Sequence, residues 1–131
     1  MMVYAFIIAL VMHIIADYML QTDLMAKAKQ RKWWKDNYPD PLYRFDWLVI
    51  LALHSFEWSF CVMLPAVVCK IMQIGHNTII VAVTFVLLVV NTVVHMFVDN
   101  LKANKFAISL LEDQAWHFVQ IVVTFVCFWF I

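Results

Sequence analysis

Four histidines in this chain keep company with acids at helical spacing: His13 with Asp17, His54 with Glu57, His95 with Asp99, and Asp113 with His117. Residues three or four apart share a helix face, so each pair presents an imidazole and a carboxylate to one common partner. That donor set is the one expected of Zn, Mn or Fe, and seven or eight such ligands suit two divalent metal ions better than one. His13, Asp17, His54, His95, Asp99, Asp113 and His117 are therefore the candidate metal ligands. Glu57, three residues past His54 and able to stay off the metal, is the candidate catalytic base. Gln21, Asn91 and Gln114 extend the same polar stripes and are expected to brace the ligands through hydrogen bonds. The competing reading is a metal-free network of hydrogen-bonded His and Asp, or a proton path.

Other site chemistries lack their residues. There is no GxSxG, P-loop or HExxH. No HxxxH or HxxHH box of the membrane desaturase kind occurs, and the only three-residue pair runs His54 to Glu57, the reverse of the ExxH of ferritin-like bundles.

The elements that must carry these residues are unusually apolar. Of 131 residues 66% are hydrophobic and 14% charged, with one glycine and a mean hydropathy of +0.85. A soluble domain of this length would carry more charge, so the lipid bilayer is the expected solvent. Zero formal net charge argues against nucleic acid as a partner. Cys61, Cys69 and Cys127 sit singly in apolar runs and suggest packing rather than disulfides. A span needs about 20 mostly apolar residues. Four candidates meet this, over residues 2–22, 47–73, 78–101 and 107–131, giving an all-α integral membrane protein, a bundle of four transmembrane helices in one domain. The first lacks the basic n-region and cleavage site of a signal peptide and is expected to be retained. Pro65 should bend the second, and Gly75 should turn it tightly into the third. No GxxxG seam exists, so association is expected to rely on large side chains, and a second copy of the chain is a candidate partner in a homodimer.

Cations set the expected orientation. Lys27, Lys29, Arg31, Lys32, Lys35 and Arg44 follow the first span, and Lys102 and Lys105 follow the third. By the positive-inside rule both termini face outward, the basic loops are cytoplasmic, and the home is the inner membrane. Residues 23–46 form a cytoplasmic juxtamembrane loop with amphipathic character, its Trp33 and Trp34 suited to a headgroup layer. All four histidines then fall at similar depth on the cytoplasmic side, roughly 6–12 Å inside the span ends at 1.5 Å per residue. An unpaired ionisable group at mid-bilayer costs about 2.5–3.5 kcal/mol, so the layer must be partnered, protonated or hydrated. Metals there would activate a water against an ester or phosphoester of a lipid or lipid-linked substrate, with Lys102 and Lys105 as candidate phosphate or headgroup contacts. The alternative class is a non-enzymatic phage or bacterial membrane effector, in which the layer is structural, metal-binding or proton-handling.

Four motifs in order carry a resemblance: HIIADYMLQ from His13 to Gln21, HSFE from His54, HMFVDNLK from His95, and DQAWH from Asp113 to His117. The chain resembles the small membrane proteins of bacteria and their phages grouped as domain of unknown function 3307, over nearly its whole length. It is more distantly similar to membrane-bound proteins described as metal-dependent hydrolases, which carry HxxxD pairs on short membrane helices. That similarity implies hydrolysis without naming a substrate.

Overall fold

Apolar runs and local capping signals decide where each helix starts and stops. A computed structural model describes residues 1–131 as helices joined by short turns. Helix α1, Met2–Ile15, widens without a break into a π-helical turn, Ala16–Leu20, closed by the Gln21 N–H on the Ala16 carbonyl at 3.2 Å. Thr22 then caps the short α2, Asp23–Ala28, its hydroxyl accepting the Met25 N–H at 3.2 Å. Helix α3, Arg31–Asn37, and a 3₁₀ turn, Pro41–Tyr43, lead into α4, Asp46–Ile74. Gly75, at φ 74°, takes the left-handed conformation that ends α4. Asn77 caps α5, Thr78–Ala103, by accepting the Ile80 N–H at 2.9 Å. Ser109 and Glu112 form a reciprocal capping box at the start of α6, Leu110–Trp129.

These bounds refine the expected ones. The first helical stretch ends on the π turn, α4 is a continuous 29-residue helix that carries Pro65 inside it, and α6 begins only at Leu110. Residues 23–46 hold two short helices and a 3₁₀ turn. Three helical stretches are long and apolar enough to cross a membrane: Met2–Leu20, Pro41–Ile74 and Thr78–Ala103. Helix α6 is less apolar because Glu112, Asp113, Gln114, His117 and Gln120 crowd its first half.

Helix α4 is the central element, packed against α1, α5 and α6. Away from the histidines the core is apolar, with Trp58, Val62, Met63 and Ala66 of α4 meeting Ile121, Phe125 and Phe128 of α6. Ala5 and Ala9 of α1 and Ala16 of the π turn are buried, so small side chains, not only the large ones expected, bring this stretch close to α4. The outward faces are strongly apolar, with Tyr4, Phe85 and Val93 each at least 60% exposed. Nearly half of the buried residues, in contrast, are polar or charged.

Candidate metal centre

One histidine from each of α4, α5 and α6 is completely enclosed: His54, His95 and His117. His95 and His117 stack at 4.2 Å between ring centroids, and His54 meets His95 edge-on at 5.3 Å. Trp58, one turn beyond His54, lies flat against His95 at 4.3 Å and closes the layer from the apolar side.

Asp99, one turn after His95, is the hub. Its Oδ1 stands 3.5 Å from His117 Nε2 and 3.7 Å from His95 Nε2, while its Oδ2 stands 3.5 Å from His54 Nε2. Asp113 Oδ1 is 3.4 Å from His117 Nε2, and Asp17 Oδ1 is 3.8 Å from His54 Nε2. A good N–H···O bond spans about 2.7–3.2 Å, so these separations are too long for hydrogen bonds. Two ligands of one tetrahedral ion, each roughly 2.1 Å from it, stand about 3.4 Å apart. The donors are thus spaced like ligands of a shared cation. They fall into two overlapping groups, Asp17 with His54 and His95, and His95 with Asp99 and His117, each with its donor atoms within 4.8 Å of one another. Both ring nitrogens of His54, His95 and His117, and Oδ1 of Asp113, lack any hydrogen-bond partner. Each orphaned buried polar atom costs about 1–3 kcal/mol, a sum no small bundle tolerates unless the atoms have work to do. The residues fit a divalent metal.

His13 differs from the other three. The Trp58 indole N–H donates to its Nδ1 at 2.8 Å, and its Nε2 donates to Gln114 Oε1 at 3.1 Å. With both nitrogens held by protein, His13 orients Gln114 instead of offering a donor. Gln114 in turn donates to both Asp17 Oδ2, at 3.3 Å, and Asp113 Oδ2, at 3.2 Å.

Two lysines complete the site. Lys29 Nζ donates to Asp99 Oδ2 at 2.7 Å and to Gln21 Oε1 at 2.8 Å; Lys102 Nζ donates to Asp113 Oδ2 at 2.6 Å. Beside them a cleft of about 130 Å³ opens toward the turns, lined by Asp17, Gln21, Lys29, Asp99, Lys102 and Asp113 among others. Lys29 was read from the sequence only as an orienting cation. Its signal is its place eight residues past Gln21, at the end of the short helix that follows the HxxxDxxLQ motif.

Three expected members stand apart. Glu57, half-buried, makes no hydrogen bond or ion pair with the layer, because α4 turns its His54, Ser55 and Trp58 face inward and carries Glu57 to the edge. Asn91 lies one turn deeper than His95 and bonds to Thr124, Gln120 and Met63, so it ties α5 to α6 instead of bracing a ligand. Lys105 is exposed outside the cleft. His76, in the turn after α4, and Asp23, the first residue of α2, are exposed and outside the layer.

No curated protein and no solved structure matches the chain. All four motifs that build the layer lie within residues 5–131, the stretch matched by the family model described as Protein of unknown function (DUF3307), and the chain belongs to that family.

Proposed function

We propose that this protein is a membrane-embedded, metal-dependent hydrolase whose His/Asp centre lies at the cytoplasmic headgroup level. The carrying observation is the set of buried imidazole nitrogens without hydrogen bonds, spaced 3.4–3.8 Å from carboxylate oxygens of three aspartates. His54, His95, His117, Asp17, Asp99 and Asp113 would hold one or two ions of Zn, Mn or Fe, His95 being common to both groups of donors. A bound ion supplies Lewis acidity and a water acidified to a pKa of about 7. The chain's own residues do the rest. Gln114 fixes two carboxylates, Trp58 and His95 exclude water from beneath, and Asp17 or Asp113, at the cleft, takes the proton expected to go to Glu57. The substrate is an ester or phosphoester of a lipid or lipid-linked molecule.

Membrane insertion belongs to the same reading. Apolar side chains face outward and polar ones inward, which suits lipid as solvent. In this arrangement α6 crosses as a fourth span, its polar half facing the other helices, and the positive-inside rule leaves the turns after α1 and α5 cytoplasmic.

A second reading draws on the lysines. Lys29 on Asp99 and Lys102 on Asp113 partly neutralise the layer from within, as a non-enzymatic membrane protein would require. Elemental analysis separates the two. The detergent-purified wild type, His95→Ala and Asp99→Ala are exposed to Zn, Mn, Fe and Mg together and freed of excess. About two tightly held ions per wild-type chain, lost in both variants, are expected for a two-metal site and lead to a phosphoester screen. A folded wild type that retains none moves the function to the second reading.

A further inference from the structure

We propose that Lys29 and Lys102 are exchangeable arms that leave Asp99 and Asp113 when divalent cations bind there, and close on a phosphoryl group in the cleft. This rests on the metal-centre reading above and adds to it the charge of the substrate and the residues that recognise it.

Charge bookkeeping inside the cleft points this way. Asp17, Asp99 and Asp113 face Lys29 and Lys102, leaving one net negative charge with neutral histidines. Two divalent ions turn that into three net positive charges in a largely buried place. Uncompensated buried charge is strongly unfavourable, so the loaded site demands an anion. Metal ions also compete directly with the ammonium groups for the same carboxylate oxygens and repel them once bound. The lysines then need a new acceptor within reach, and a phosphoryl oxygen in the cleft supplies one.

The local framework lets the ammonium groups move while the chain stays put. Asn104, just past α5, donates from Nδ2 to the Lys29 carbonyl at 3.1 Å and accepts the Arg31 N–H on Oδ1 at 2.6 Å. Trp34 adds an indole N–H to the Ala28 carbonyl. The backbone on both sides of Lys29 is thereby pinned, and its flexible stem swings from a fixed root. Lys102 projects from the last turn of α5, one turn beyond Asp99, with a side chain already 36% exposed at the mouth.

The probe is labelled inorganic phosphate, measured by equilibrium dialysis against the full chain in neutral detergent, with and without zinc; zinc affinity is measured separately by competition with a chelating dye. Phosphate is expected to bind only when zinc is present. Lys29→Met and Lys102→Met, which keep the side-chain stem, should each weaken phosphate about tenfold or more, the loss of one charge-assisted hydrogen bond. Both should hold zinc as well as or better than the wild type. Lys29→Arg should recover most of the phosphate affinity, and exposed Lys27→Met should match the wild type. Unchanged phosphate affinity in both methionine variants overturns the proposal, as does zinc-independent phosphate binding. Loss of zinc from a folded Lys29→Met overturns it too, while leaving the metal centre intact as a reading. A wild type that binds no zinc overturns both. Displacement of the label by nanodiscs containing phosphatidic acid, but not by neutral ones, identifies a lipid phosphate as the anion; retention identifies a soluble phosphate, and either result supports the site.

Discussion

At the scale of single residues, neighbours in sequence have unlike tasks. Glu112 is exposed and accepts the Ser109 N–H at 2.7 Å as part of a helix cap, while Asp113 next to it is buried beside His117. Trp58 is as informative: its indole both donates to His13 and covers His95. Trp58→Phe keeps an aromatic face but strands His13 Nδ1, so it should cost about 1–3 kcal/mol, read as a lower thermal midpoint in detergent. An unchanged midpoint would remove Trp58 from the support of the layer. The sequence made His95, Asp99, Asp113 and His117 legible because helical spacing alone puts them on shared faces. It could not reveal Lys29 on Asp99, a pairing across 70 residues that depends on how a short connecting segment folds back. Nor could it tell that His13 is spoken for, since that follows from an indole 45 residues away.

Among the helices, α5 and α6 are joined by a polar knot below the histidine layer. Gln120 donates to both the carbonyl and Oδ1 of Asn91, at 2.7 and 2.9 Å, and Thr124 shares two further bonds with the same side chain. Asn91→Leu should weaken the bundle by about 1–2 kcal/mol, the usual worth of such interhelical bonds. Loss of metal affinity along with it would mean that the knot also sets the spacing of His95 and His117. The long helices were readable from apolar length, and their ends from Gly75, Asn77 and Ser109. The π turn at Ala16–Leu20 was not, because no residue type marks one. It carries Asp17 and Tyr18 to the wall of the cleft.

The whole molecule wears its apolar residues outside, and its proposed orientation is open to direct labelling. After replacement of Cys61, Cys69 and Cys127, single cysteines at Lys105 and Asp36 should react with an impermeant maleimide only in inverted vesicles, and one at His76 only in intact spheroplasts. The opposite pattern would move the histidine layer to the outer leaflet and overturn the proposed orientation. Inside, the ligands converge within one chain, so the candidate centre needs no second copy to complete it.

The bond between His13 and Gln114 joins residues 101 positions apart, and the grip of Asn104 on the Lys29 carbonyl spans 75. During synthesis at about 5–20 residues per second, the polar face of α1 therefore waits roughly 5–20 s before the segment that satisfies it has been made. In a chain inserted as it emerges from the ribosome, α1 must be sheltered through that interval. The last helix acts as the key that locks the first, and a message cut short before α6 leaves His13 and Asp17 without their Gln114 partner.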